Sequence, residues 1–295
     1  MMANFNRSSD ILQPYLISVG KMEKICYEIV LILLMALTLF GNSLVCLACW
    51  RFRNLRSLTN YFVCSLSIAD FLVPPLRVLY MVISLFVGEW IFGAIWCNIS
   101  SMCGVLLCGA SILHLSAISL ERFVAVRWPL SYTSKITPRR TFCVLVYIWF
   151  QSFILSLFPF TGFVEHRFNP HIAECEINWM QQPTLTILLL IFYFFVPITI
   201  MLVAYMFIFK EVRRNTRRVS SIAPSGTRKS SKSKFNFKKE IKAVKTLAVV
   251  IGVFFIMWLP YFVTTAIRGF RSDSGGNFAN VAKNSYNFSI CQLVL

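Results

Sequence analysis

The chain reads as an all-α protein, a polytopic bundle of transmembrane helices, and three observations carry that reading. Of its 295 residues 57% are hydrophobic, and the mean hydropathy is +0.67, well above a water-soluble domain's. Six stretches, roughly 25–50, 59–86, 94–127, 139–162, 182–211 and 239–268, are apolar over the ~20 residues a helix needs to cross a bilayer. The net charge of +17 is partitioned between alternate loops. Arg51, Arg53 and Arg56 follow span one, and Arg127, Lys135, Arg139 and Arg140 follow span three. The loop of about 212–238 after span five adds Arg213, Arg214, Arg217, Arg218 and many lysines. The intervening loops carry Glu89, Glu165, Glu174 and Glu176 against Arg167. By the positive-inside rule the basic loops are cytoplasmic and the amino terminus extracellular, although Lys21 and Lys24 oppose this mildly. Charge placed in this way implies anionic membrane lipids as partners and no nucleic acid. No internal repeat is evident, and residues 25–268 form one membrane domain.

Residues 1–24 are a polar outer segment with no cleavable signal peptide and one glycosylation sequon at Asn6. A second sequon, Asn98-Ile99-Ser100, sits too close to the membrane for modification. Span one carries Asn42, an amide in an apolar run, suited to bonding a neighbouring helix. Span two carries Asp70 at a depth where a carboxylate costs roughly 2.5–3.5 kcal/mol to insert. It must face the bundle interior, with Asn42 and Ser111 as candidate partners, either as a structural polar knot or as an ion site. Arg77 follows two helical turns later on the same face, either snorkelling to the interface or entering a ligand cavity.

Span three closes as SAISLERFVAVRWPL, which sets Glu121 beside Arg122 at the membrane boundary. Such a pair is either an interfacial marker or a switch in which the arginine is held at rest and released on signalling. Span four holds Trp149 and ends at Pro159; the loop after it contains CEINW, residues 175–179. Most cysteines lie inside spans and behave as small apolar residues. Cys97 and Cys175 differ, since both fall on the oxidising side, where a disulfide persists. Span five holds Pro197 and Tyr205, and residues 215–237 have the composition of a solvated linker. Span six begins with a basic stripe of Lys238, Lys242 and Lys245. It then sets Phe254, Trp258, Tyr261 or Phe262, and Thr265 along one face, with a kink at Pro260. Residues 269–295 are a polar outer segment or an incomplete seventh span.

Seven features in this order, Asn42, Asp70, Cys97, Glu121-Arg122, Trp149, Pro197 with Tyr205, and Phe254 to Pro260, resemble the rhodopsin-like (class A) G-protein-coupled receptors. In span six Phe254, Trp258 and Pro260 fit F-x-x-C-W-x-P with Met257 in place of cysteine, and Phe123 replaces the tyrosine after the arginine. The resemblance runs from residue 25 to about 268, and the KKEIKAVKTLAVV stretch is similar to the biogenic-amine branch. It implies a seven-helix fold whose seventh span is missing or atypical here. It also implies a Cys97–Cys175 disulfide, a sodium ion at Asp70 and Ser111, and a resting lock of Arg122 by Glu121 and Glu240. Pro197, Ile112 and Phe254 would form a packing relay, and Tyr205 and Pro260 would take part in the switch. The ligand cavity would be lined by Arg77, Gly104, Val105, Cys108, Leu189, Tyr193, Trp258, Tyr261, Phe262 and Thr265.

The chain departs from the amine branch in one respect that bears on the ligand. Gly104 stands eighteen residues before Arg122, where amine receptors place an aspartate. The cavity that results suits an apolar or aromatic small molecule, with an acidic group if Arg77 faces inward. The function implied is a plasma-membrane receptor that activates a heterotrimeric G protein by outward movement of span six. A truncated form that traps full-length receptors, and a transporter, are the alternatives; the second lacks the repeated halves it would need. No catalytic constellation is present, and His114, His166 and His171 lack acid or cysteine partners at metal spacing.

Overall fold

The computed structural model describes residues 21–52, 57–157, 166–169, 173–177 and 183–221, together with 249, 252 and 253. Among these residues five helices are long and apolar enough to cross a membrane: Ile25–Arg51, Leu58–Val87, Gly93–Arg127, Pro138–Leu157 and Ile187–Arg214. They are spans one to five. Asn6, Glu240, Phe254, Trp258, Pro260, Tyr261, Phe262 and Thr265 lie outside the described residues.

Each helix departs from the sequence reading at its ends for a local reason. The first helix begins at Lys21, so both amino-terminal lysines fall within its first turn. Span two is capped by Ser57, whose hydroxyl accepts from the Asn60 amide at 3.3 Å. Its Pro74-Pro75 pair removes two backbone donors, and the helix widens over Pro74–Val78 into a π turn in which the Leu79 amide bonds the Pro74 carbonyl. Span five does the same just before Pro197: Ile191–Phe195 is a π turn closed by the Val196 amide on the Ile191 carbonyl. The span-five helix then continues to Ser221, so the basic loop placed at 212–238 is helical over its first ten residues.

Span three is the hub. It packs against spans two, four and five and against the loop hairpin, because its faces are lined with small residues that admit close neighbours. At Gly109 a single methyl group would overlap the ring of Tyr193 from span five. Apolar packing fills the rest: Ile112, Leu115, Leu189, Tyr193 and Ile198 between spans three and five, and Phe62, Ala69, Leu107 and Ile148 between spans two, three and four. Large apolar side chains such as Phe40, Trp50, Phe142 and Phe150 point outward, as they do where lipid is the solvent. A three-helix polar knot sits inside this packing. His114 is fully buried; its Nδ1 lies 2.7 Å from the Ala110 carbonyl and its Nε2 2.8 Å from Ser65 Oγ. A carbonyl can only accept, so Nδ1 carries the proton and Nε2 accepts from the serine. Ser65 in turn accepts from Trp149 Nε1 at 3.0 Å. One hydroxyl thus joins spans two, three and four.

The loop after span four, of which the sequence reading singled out only CEINW, forms an antiparallel hairpin. Strand β1 (His166–Asn169) pairs with β2 (Glu174–Ile177), with Phe168 opposite Cys175 and Arg167 opposite Glu176. A disulfide joins Cys175 to Cys97 in the first turn of span three, with the Cα atoms 5.3 Å apart. Phe168 rests 5.7 Å from the ring of Trp90, which donates to the Gly93 carbonyl at 2.9 Å.

Two outcomes follow for stability. Cys175→Ser should lower the unfolding free energy by roughly 2–4 kcal/mol, seen as earlier loss of tryptophan fluorescence on heating in detergent. Ser65→Ala leaves two buried groups without their shared partner and should cost about 1–3 kcal/mol. Ser65→Thr, which keeps the hydroxyl, should recover part of that loss in the same melt.

Candidate functional site

Two polar centres lie at opposite ends of span three, with an acid between them. At the hairpin end Arg77 projects from the π turn of span two onto span three. Its guanidinium covers Gly104 so closely that any side chain there would collide with it. Its Nε donates to Glu174 of β2, the residue next to the disulfide cysteine. Both side chains are largely shielded, at 23% and 8% exposure, which strengthens a charge pair relative to one in water. Glycine 104 is therefore the floor on which a cation lies. Val105 is half-buried, and Cys108, one turn below Gly104, is half-buried against the span-five cluster. Leu189 and Tyr193 are placed inside that cluster, and the Tyr193 hydroxyl donates to the Ser152 carbonyl at 3.3 Å.

Midway along the bundle Asp70 Oδ1 accepts from Ser111 Oγ at 2.7 Å. Asn42, expected as a second partner, instead donates to the Thr38 carbonyl of its own helix at 3.0 Å. Bonding to the i−4 carbonyl is the local alternative to a partner on another helix. Carboxylate and hydroxyl offer two oxygens of the kind a hard cation takes; among the described residues no group of three or more His, Cys, Asp or Glu could hold a metal. Ile112 is 1% exposed and packs with Ile198, beside the buried Pro197.

At the arginine end Glu121 is 3% exposed. Arg122 Nε lies 3.0 Å from its Oε2. Thr59 Oγ1, from the first turn of span two, donates to Oε1 at 2.8 Å, and Tyr132 donates its hydroxyl to the same oxygen. Two hydrogen bonds to Oε1 and the Arg122 ion pair at Oε2, which has no hydrogen-bond partner of its own, hold this buried carboxylate. Burial, and the hydrogen bond to Glu121, push the Tyr132 hydroxyl up to about 12. It stays a neutral donor until strongly alkaline pH, and the bond it makes is lost only as pH rises towards that value. Tyr132 belongs to a one-turn helix, Tyr132–Lys135, whose last carbonyl accepts from Arg140 Nη1 at 2.8 Å. The Tyr205 hydroxyl is buried facing Ser119 and Arg122.

Phe123 packs between Trp128 and Phe207 of span five, with centroids 5.6 and 5.7 Å away. The Phe123 ring thus makes a contact between spans three and five. Lys135 Nζ stands 4.0 Å over the Trp128 ring, and beside it Leu130 is 98% exposed. Thr59, Tyr132 and Glu174 were not singled out from sequence, because no period or motif links them to the charges they bind. The turn residue Pro129 is the one hint that the chain doubles back towards Glu121.

Comparison with known proteins accounts for this arrangement. The family described as "7 transmembrane receptor (rhodopsin family)" matches residues 41–295. The histamine H2 receptor of Cavia porcellus is 38% identical over 259 residues, covering 86% of this chain and 69% of that protein. G-protein coupled receptor 161 of Mus musculus is 34% identical over 257 residues, covering 80% of this chain and 47% of the relative. The chain thus spans about two thirds of one relative's length and about half of the other's. In fold it is similar to squid rhodopsin, with a TM-score of 0.80 at 21% identity over 94% of this chain and 80% of that one. A lone arginine-acid pair would not identify a receptor, but this pair stands at the end of span three in a bundle of that fold and in a sequence matched over most of its length. The chain belongs to the rhodopsin family of seven-transmembrane, G-protein-coupled receptors.

Proposed function

We propose that this protein lies in the plasma membrane with its hairpin end outside, and converts binding of an extracellular small molecule into activation of a heterotrimeric G protein. The observation that carries the proposal is the closed network around Glu121. An arginine held by its neighbouring acid, with that acid tied by Thr59 and Tyr132, is a resting state that can be released. Bonds of this kind that differ between two bundle packings bias one packing against the other. The uneven loop charges support the orientation, since the arginine end is the basic one. Anionic lipid headgroups would attract the same face.

A ligand with an apolar or aromatic body would suit the hairpin end, where Val105 and Cys108 stand on span three near Gly104, against the apolar cluster shared with span five. Trp258, Tyr261, Phe262 and Thr265 would complete it by their spacing on span six. Asp70 with Ser111 suits a sodium ion that would hold the resting packing. In that packing Arg122 would also meet Glu240, and outward movement of span six about Pro260 would uncover Arg122 and Tyr205. A 98% exposed leucine beside basic residues is a suitable anchor for an apolar pocket on the G protein.

Tyr132→Phe removes one charge-assisted bond, worth about 1.5–3 kcal/mol. Ligand-free nucleotide exchange at matched surface density should therefore rise several-fold. An unchanged basal rate would show that the network is structural only. Leu130→Asp should depress exchange in both ligand-free and Tyr132→Phe backgrounds without altering surface delivery, measured with an amino-terminal epitope tag.

A further inference from the structure

The span-five helix outruns the membrane span it contains. The apolar stretch long enough to cross a bilayer closes at Arg214, while the helix continues to Ser221, about 10 Å further at the α-helical rise. That end of the helix carries one short pattern twice, Arg213-Arg214-Asn215-Thr216 and then Arg217-Arg218-Val219-Ser220. Arginines alone would be no more than a solvated basic face. Here each pair is followed, at the same distance, by a hydroxyl. An arginine-directed protein kinase recognises that arrangement, since carboxylates in its cleft pair with guanidinium groups three and two residues ahead of the acceptor.

The two hydroxyls are alike in sequence and differ in structure. A protein kinase takes its acceptor segment as extended chain, so the helix around the hydroxyl must open before transfer. Helix ends open most readily, because the last four carbonyls have no partner amide within the helix. Ser220 is next to the final helical residue, and Thr216 lies a turn deeper. Presenting residues 217–221 unwinds only the end of the helix. Presenting 213–217 unwinds a further turn and reaches into the membrane span at Arg213 and Arg214. It also pulls Arg213 from the Phe209 ring, whose centroid is 5.2 Å from its guanidinium carbon.

We propose that Ser220 is the phosphorylation site of an arginine-directed serine/threonine kinase, reached ahead of Thr216 because it stands at the helix end, and that its phosphate unwinds that end. The bond from the terminal phosphorus of ATP to the ADP oxygen breaks and a bond to Ser220 Oγ forms. The hydroxyl proton passes to the kinase's base, and ADP leaves with the electron pair. The new group carries about −1.5 to −2 charge and sits at the negative end of the helix dipole. Arg217 precedes it, which is the less favourable order for an ion pair along a helix, so the dipole decides and the final turn opens. The phosphate also cancels about half of the net charge that Lys210, Arg213, Arg214, Arg217 and Arg218 hold over Glu211. The inference rests on the orientation proposed above, since ATP and its kinases lie on the cytoplasmic side.

The test uses the full chain in lipid nanodiscs, where both faces are accessible and orientation does not matter. It is incubated with ATP and the catalytic subunit of cyclic-AMP-dependent protein kinase, and phosphate is mapped over time by mass spectrometry. Ser220 should be modified about tenfold faster than Thr216, because the open population falls with each further turn that must unwind. Exchanging the acceptors, Thr216→Ser together with Ser220→Thr, removes any preference of the kinase for serine, and position 220 should still lead. Amide hydrogen exchange over residues 217–221 should quicken several-fold once Ser220 is phosphorylated. Phosphate that appears first at position 216 in either protein, or only at residues other than 220, overturns the proposal. So does unchanged hydrogen exchange in the phosphorylated chain. The same mapping in intact cells with the kinase stimulated tests the orientation separately. Phosphate on Ser220 in nanodiscs but never in cells would leave the site standing and count against the cytoplasmic placement of this end.

Discussion

Polar side chains carried through hydrocarbon must find partners inside the protein, and span three carries most of them. Ser111 meets Asp70, His114 meets Ser65, and Glu121 meets Thr59. All three partners lie on span two, so the register between these helices is set at three depths by hydrogen bonds that have no aqueous alternative. Apolar packing alone would set it weakly, since lipid tails are as good a surroundings for leucine as another helix is. Spans four and five join this pair by different means. Span four adds Trp149 to the Ser65 hydroxyl, and span five inserts Tyr193 where Gly109 leaves room.

The two ends of span three follow one physical pattern: at each a guanidinium is held by a shielded glutamate. Glu121 is tied by a threonine and a tyrosine, so the arginine is the member that can leave. At the hairpin end Glu174 is the more shielded member of its pair with Arg77, at 8% against 23% exposure. The π turn in span two carries Arg77 at the hairpin end, and that in span five stands just before Pro197. Such turns have unspent hydrogen-bonding capacity, which lets a helix shift phase at modest cost.

Membrane class, the number and placement of the first five spans, and the charge asymmetry were all legible in the sequence, because each depends on local composition over about twenty residues. The individual positions Asp70, Ser111, Cys97, Cys175, Glu121 and Arg122 were legible as well, since order and spacing along helices carry them. What only the tertiary structure decided was pairing across helices. Asn42 turned to its own backbone, the i−4 carbonyl of Thr38, where the sequence suggested a bond across helices. Thr59 and Tyr132 reach Glu121 from sixty-two residues before it and eleven after it, in bonds that no periodicity links. Arg77 could snorkel or face inward on sequence grounds, and what settled it was an absence, the missing side chain at Gly104, together with an acid ninety-seven residues away. A chain's composition sets which groups are costly to bury; only the packed bundle determines which other group removes that cost.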